Sequence, residues 1–384
     1  MQRIKVGIVA SGMMGQKHAD ALHRIPNVEI VGIADPYSKN LKEKAEILGI
    51  PNTFSDYKEM IGSLDLDMIH NCSPNSEHFE ISSYAMKHGL GVFSEKPLAV
   101  TMDEAEELVR IANQYQVPDG VGFCYRNNAM VREMRARISS GDAGRIFLVH
   151  GSYLQDWLMF PEDFNWRLES GKGGASRAVA DIGSHWFDTV QVILNKKIVH
   201  VYAKLVTIYP VRKKPISEVE TFAKADKGAK YKDVSIDTED AGFILVQFDD
   251  GTYGSLTLSQ VSGGYKNALY VSVDCERYSM RWNQEEADHL ILGSRELGET
   301  KIYAASGNMT GEANDYAALP GGHPVGWADA LYNNINQFYQ SVLSKTFLNG
   351  QQNYSTFRDA LYIMKIVNAC LKSNKNNTWV SIEE

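Results

Sequence analysis

Short, unbroken apolar runs alternate with amphipathic stretches through the first third of the chain. Ile4–Ala10, Val28–Ala34, Asp67–Cys72, Gly91–Ser94 and Gly120–Phe123 are rich in Val and Ile and lack polar alternation, the pattern of strands buried on both faces. Between them, Met14, His18, Ala21, Leu22 and Ile25 share one helical face. Leu41, Ala45 and Leu48 share another, which Gly49 closes. Thr101-Met102-Asp103-Glu104 fits a capping box opening a helix to Tyr115. This alternation predicts an α/β domain over residues 1–124, a doubly wound parallel sheet.

After Tyr125 the grammar changes. Helices are expected over Asn128–Ser140 and from about Ile182 to Leu194, with a strand Ile146–Tyr153 between them. Strands then follow in succession: Val199–Tyr209, Ala241–Phe248, Tyr253–Gln260, Leu269–Val273 and Tyr278–Arg281, with Asp249-Asp250-Gly251 as a hairpin signal. Val211–Asp237 is charged and poor in large apolar residues, so it reads as a surface excursion. Two long helical patterns, Trp327–Leu343 and Thr356–Leu371, close the chain. Residues 125–384 thus read as one α+β domain on a large, mostly antiparallel sheet.

The join between the first strand and first helix carries chemistry. Ala10-Ser11-Gly12-Met13-Met14-Gly15 stands where a dinucleotide-binding Rossmann domain has G-x-G-x-x-G, with Ala10 in place of the first glycine. Gly12 lets backbone approach a diphosphate at a helix N-terminus, and Gly15 permits close helix–strand contact. Asp35, twenty residues past Gly15, stands where an acid accepts from the adenosine ribose hydroxyls. Its charge favours NAD over NADP, although Lys39 partly offsets it, so NADP stays possible. The bland alternative is a plain βα turn with a solvated acid; the strand, helix and spaced acid together argue against it.

Composition narrows the field. A formal net charge of −8 argues against nucleic acid or an anionic membrane as partner. No apolar run approaches the ~18–20 residues of a spanning helix, and no signal-peptide layout is visible. The four cysteines stand apart, which suits a reducing, cytoplasmic setting. His18, His23, His70, His88, His150 and His200 lack ligand spacing, so no metal is expected.

Three further stretches carry a resemblance: Cys72-Ser73-Pro74-Asn75 with His78, Ser94-Glu95-Lys96-Pro97, and Asp181-Ile182-Gly183-Ser184-His185. Together with the glycine turn, they make the chain resemble the glucose–fructose oxidoreductase / inositol dehydrogenase / rhizopine-catabolism (Gfo/Idh/MocA) family. The resemblance implies a large open sheet in the second domain and a homodimer or homotetramer built on its outer face. It also places Ser73, Asn75, His78 and Glu95 along the cofactor, with Pro97 after a cis peptide.

The residue types support the same chemistry. Oxidising a secondary alcohol needs a base for the hydroxyl proton and a positive group facing the developing alkoxide. Lys96, after a strand at the carboxyl edge of the sheet, suits the second role. His185 suits the first, and Asp181, four residues earlier, would hold a substrate hydroxyl or orient the charged partners. Trp166 and Arg167 would reach cofactor or substrate, and Tyr125-Arg126 ends the first domain. Tyr125, Asp156, Trp157 and His323, with Arg177, are expected to line a pocket for a polyhydroxylated ring. Taken singly, each has an ordinary structural reading: Asp181 or Asn75 as an N-cap, His185 as a core histidine, Trp157 or Trp166 as core.

The reading reached is an NAD(P)-dependent sugar or polyol dehydrogenase. Redox-assisted glycoside cleavage, in which NAD is recycled, would release an aglycone without net NADH. A non-catalytic sugar or nucleotide sensor would be expected to have lost Lys96 or His185.

Overall fold

The computed structural model describes residues 3–216, 230–350 and 352–383. The chain divides into two compact units. One is Met1–Asn127 with Trp327–Tyr362, the other Asn128–Gly326 with Ile363–Glu384.

The first unit opens with β1 (Ile4–Val9), α1 (Met13–Leu22), β2 (Val28–Ala34), α2 (Leu41–Ile47), β3 (Thr53–Phe54) and α3 (Tyr57–Ser63). It continues with β4 (Met68–Asn71), α4 (His78–Lys87), β5 (Gly91–Ser94), α5 (Met102–Tyr115) and β6 (Asp119–Val121). All six strands pair in parallel in the order β3-β2-β1-β4-β5-β6, the doubly wound arrangement whose switch point lies between β1 and β4. The register sets Val9 beside Ala34 and Asn71, and Asn71 beside Ser94. Ala10, Asp35, Cys72 and Glu95 therefore leave the sheet along one carboxyl edge. The α5 capping box is formed: Glu104 donates its N–H to Thr101 Oγ1 and its carboxylate accepts from the Thr101 N–H.

The second unit holds α6 (Ala129–Ser139), β7 (Ile146–Leu154), a short α7 (Ser170–Gly173), α8 (Ser184–Leu194), β8 (Ile198–Val206), β9 (Val211–Pro215) and β10 (Tyr231–Ser235). Strands β11 (Ala241–Phe248), β12 (Tyr253–Ser259), β13 (Ala268–Cys275), β14 (Ser279–Asn283), β15 (His289–Ser294) and β16 (Gly298–Tyr303) follow. With β17 (Val380–Ser381) they make a nine-stranded sheet, β16-β15-β14-β13-β7-β12-β11-β8-β17, antiparallel except for β7 with β12. Helix α8 packs on β7 and β13. On the opposite face Leu148, Phe243, Leu245 and Tyr253 stay exposed, and the register pairs Leu148 with Tyr253.

Two late helices, α9 (Trp327–Ser344) and α10 (Phe357–Asn376), precede β17. The sequence placed everything after Tyr125 in one second domain, whereas Trp327–Tyr362 belongs to the first unit. The reason is apolar: Phe338 and Tyr339 of α9 are fully buried against Phe93 and His70, and Ser355 bridges Val121 at the sheet edge. The described residues of the expected surface excursion are mostly exposed, but they are ordered. Strands β9 and β10 pair as an antiparallel ribbon, and Arg212 within it is wholly buried. Residues 217–229 of that stretch lie outside the described residues.

Candidate active site

The glycine turn is shaped by one close approach. A Cβ on Gly15 would lie 2.0 Å from the Ala10 carbonyl oxygen, so only glycine lets α1 sit against the end of β1. Ala10 itself takes φ +76°, the left-handed region that costs a non-glycine residue about 1–2 kcal/mol. A Cβ on Gly12, in contrast, would meet no protein atom within 4 Å. Gly12 caps α1 with no side chain closing the helix end, and Met13 beside it is exposed. An open backbone at a helix N-terminus fits a diphosphate.

Asp35 binds this turn back to the sheet. Its Oδ2 accepts from the Ser11 N–H at 2.8 Å and the Ser11 hydroxyl at 2.7 Å, and its Oδ1 from the N–H groups of Tyr37 and Ser38. The acid expected to serve a ribose thus also shapes the loop. Lys44 also reaches the turn, its Nζ 3.4 Å from Ser11 Oγ.

The loops after β4 and β5 are tied together by His78. Its ring nitrogens lie 2.7 Å from the Pro97 carbonyl and 2.9 Å from the Ser73 carbonyl, and the residue is 1% exposed. Burial holds the imidazole below its ordinary range even though both carbonyls favour the charged ring. His78, expected along the cofactor, spends both nitrogens on backbone and acts as a tie between loops. Ser73 donates to Asn71 Oδ1 at 2.6 Å, and Asn75 begins a 3-10 turn, Asn75–Glu77, without capping α4. Between Lys96 and Pro97 the peptide is cis.

Glu95 heads a buried chain that the sequence pattern concealed. His18 Nε2 lies 3.0 Å from Glu95 Oε1, His18 Nδ1 lies 2.8 Å from His70 Nδ1, and His70 Nε2 lies 2.9 Å from the Tyr339 hydroxyl. Burial keeps His70 well below its usual range, hence neutral. With Glu95 as a carboxylate, His18 donates to it from Nε2, and the His18–His70 and His70–Tyr339 contacts extend the chain from there. The available signal was a histidine on the apolar face of α1, since a ring that is 0% exposed needs a polar partner. Tyr125 is 4% exposed in the 3-10 turn Cys124–Asn127, which packs on α9, so the sugar-facing role expected of it gives way to a core one.

In the second unit the chain enters α8 through a π turn, Val179–Gly183, of the kind often found at functional sites. The expected helix start at Ile182 is therefore a junction, with Asp181 in the π turn and His185 in the first turn of α8. Three donors converge on Glu239 Oε1 to hold its start: the N–H groups of Arg177 and Val179 and the Ser176 hydroxyl. Farther along, the buried Trp186 donates its indole N–H to the Tyr270 carbonyl. Gly151 leaves room for it, since a Cβ there would lie 2.4 Å from that nitrogen. The Tyr153 ring stands 6.4 Å from that of His185, which is 8% exposed.

Asp181 is not an N-cap. Its Oδ2 accepts from Gln260 Nε2 at 2.9 Å, and its Oδ1 lies 3.9 Å from Arg167 Nε. Arg167, expected on the cofactor, is turned toward this carboxylate and braced on Asn165 Oδ1. The Trp166 side chain lies outside the described residues.

Four other assignments change. Arg177 is 2% exposed and bonds Thr238, Gln260 and Asp240, so it lies behind the site and not on a substrate wall. Asp156 accepts from Lys266 Nζ and the Gly264 N–H, and the lysine holds its carboxyl below the usual range. Trp157 packs on the Leu158, Leu168 and Ile236 cluster and donates to Gln155. His323 is exposed and folds back on its own loop at Pro320. Local bonding is what claims each of them. Among the described residues, no group of three or more His, Cys, Asp or Glu side chains is placed to hold a metal, and no helix is long and apolar enough to cross a membrane.

Comparison with known proteins agrees with both units. The family description "Oxidoreductase family, NAD-binding Rossmann fold" matches residues 4–123, and the GFO/IDH/MocA C-terminal domain matches residues 131–281. A levoglucosan dehydrogenase of Pseudarthrobacter phenanthrenivorans is 24% identical over 100% of this chain and 99% of its own. A D-glucoside 3-dehydrogenase of Escherichia coli is 24% identical, covering 65% of this chain and 68% of its own. The solved structure of a levoglucosan dehydrogenase in complex with NADH and L-sorbose superposes with a TM-score of 0.87 at 23% identity, covering 100% of each chain.

Proposed function

Because the chain belongs to the Gfo/Idh/MocA family of NAD-binding oxidoreductases, we propose that it oxidises a secondary alcohol carbon of a sugar, glycoside or cyclic polyol, with NAD preferred over NADP. The observation that carries the redox reading is the glycine turn, open at Gly12 and closed by backbone at Gly15. Full-length likeness to a levoglucosan dehydrogenase supports a sugar-like substrate. NAD, when bound, supplies the hydride acceptor. Ala10 to Met14 would hold its diphosphate, Asp35 would serve the adenosine ribose, and Ser73, Asn75 and Glu95 would border the nicotinamide end.

In this reading His185 takes the proton of the reacting hydroxyl, becoming an imidazolium. Lys96 faces the oxygen as it becomes an alkoxide, and Asp181 accepts a hydrogen bond from a ring hydroxyl and so fixes which carbon reacts. Inositols, hexoses, anhydrosugars and glycosides offered with NAD or NADP, and followed by the absorbance of the reduced cofactor, identify the substrate. Lys96→Ala should lower turnover by ~100-fold or more while NAD binding persists. Undiminished turnover in that variant would remove Lys96 from the chemistry.

A further inference from the structure

Behind Asp181 lies a row of side chains that the catalytic reading does not use. Arg212 and Arg177 both donate to Asp240 Oδ1, at 2.7 and 2.5 Å, while Asp240 Oδ2 accepts from the N–H groups of Ile208 and Tyr209. Arg177 Nη1 then donates to Gln260 Oε1 at 2.8 Å, and Gln260 Nε2 to Asp181 Oδ2 at 2.9 Å. The side chains of Arg177, Arg212 and Asp240 are 0% exposed and Gln260 is 0% exposed, whereas the Asp181 side chain is 19% exposed. The row therefore starts in the core and ends at its one accessible member.

The orientation of Gln260 follows from donor and acceptor chemistry. A guanidinium has only donors, so the amide oxygen must face Arg177 and the NH2 group must face Asp181. A flipped amide would set N–H against N–H and oxygen against carboxylate at the same two distances. Gln260 leaves β12 beside Gln155 at the end of β7, fixed by its own N–H to the Asp240 carbonyl at 2.9 Å. Arg177 has no freedom to turn away, because its Nε is on Thr238 Oγ1 as well.

We propose that Gln260 is a positioning residue: oriented by Arg177 and Asp240, it fixes the direction in which Asp181 presents its carboxylate to the substrate. Arg167 Nε, 3.9 Å from Asp181 Oδ1, supplies the counter-charge on one side of the carboxylate, while the neutral amide on Oδ2 supplies direction without a second cation. The two buried arginines already have Asp240 and the nearby Glu239 as counter-charges. Among the described residues of this unit, Arg167 pairs with Asp181 directly and Arg177 reaches it through the amide. The proposal rests on the role given to Asp181 under Proposed function.

Gln260→Leu strips an acceptor from a buried guanidinium and so risks the fold. Gln260→Glu is the decisive variant, since it keeps an oxygen on Arg177 but replaces the donor facing Asp181 with a second acceptor. It should melt near the wild-type temperature and bind NAD normally. Its kcat/KM should fall by ~10–100-fold, the worth of one hydrogen bond to a charged group. The low-pH limb of its kcat/KM profile should move upward by about a unit, because neighbouring carboxylates hold protons more tightly. A folded Gln260→Glu enzyme with wild-type kcat/KM and an unmoved limb, alongside an inactive Asp181→Asn, overturns the proposal alone. Turnover that survives Asp181→Asn removes the role of Asp181 and the proposal with it.

Discussion

Alanine at the two glycines of the nucleotide turn should separate folding from cofactor binding. Gly12 has φ −66° and ψ −172°, a conformation open to any residue, and a methyl there meets no protein atom within 4 Å. Gly12→Ala should therefore melt within about 1 °C of wild type without ligand. The added methyl occupies the space assigned to the diphosphate, so NAD should lose its grip. At a concentration 100 times Kd, NAD stabilises the wild type by about 2.7 kcal/mol. At ~2–4 °C per kcal/mol for a unit of this size, that is a rise of about 5–10 °C, which Gly12→Ala should lack.

Gly15→Ala should behave otherwise. Its methyl would sit 2.0 Å from the Ala10 oxygen, whereas non-bonded heavy atoms rest at roughly 3.5 Å, so α1 must back away from β1. Overpacking of this kind costs ~1–3 kcal/mol before any ligand is added. Thermal unfolding of both variants with and without NAD reads out the difference. A full NAD-induced rise in Gly12→Ala would mean that the diphosphate does not approach residue 12, and the cofactor site would have to be sought elsewhere.

Three further outcomes follow from the same geometry. Burial raises the carboxyl of the half-buried Asp119 to about 6, against the Phe357 N–H bond that lowers it. Folded protein then holds the proton more tightly than unfolded chain, so stability falls as pH rises from about 4 through 6. Asp119→Asn should remove that loss, at most about 3 kcal/mol, and equal denaturation midpoints for both proteins at pH 8 would refute it. Asp35→Asn should raise kcat/KM for NADP relative to NAD by about tenfold, through loss of a charge facing the extra phosphate; an unchanged ratio would clear Asp35 of cofactor choice. The exposed Phe243 and Leu245 are proposed to face a second copy of the chain. Lysine at both positions should then lower the mass measured by light scattering to that of a monomer, and an unaltered mass would place the contact elsewhere.

How much was legible in the sequence depended on how local each cause is. The glycine turn, the Thr101 box and the buried parallel strands were readable because spacing within a dozen residues specifies them. The pattern does not mark strands β15 and β16: Gly298–Tyr303 is charged and exposed, and neither carries the long apolar run of a buried strand. Buried arginines were read as surface or substrate-lining because their counter-charge is remote. Asp240 stands 63 residues from Arg177 and 28 from Arg212, and no periodicity links them. The His18–His70 contact spans 52 residues, so the helix face announced an anomaly without naming its partner. Of the sugar-lining set, Asp156, Trp157 and His323 rest on residue type alone, which says nothing about what neighbours have already claimed.

The return of α9 to the first unit has a bearing on how this protein is made. Tyr339 reaches His70 across 269 residues, so a ribosome adding ~5–20 residues per second delivers that hydroxyl about 15–50 s after the imidazole. Until then Phe93 and the edge near Val121 wait in an incomplete nucleotide fold, exposed to wrong partners. A nascent chain halted at Gly326 would carry every residue of the glycine turn yet lack the helix that covers His70 and Phe93, so a late segment governs the completion of an early one.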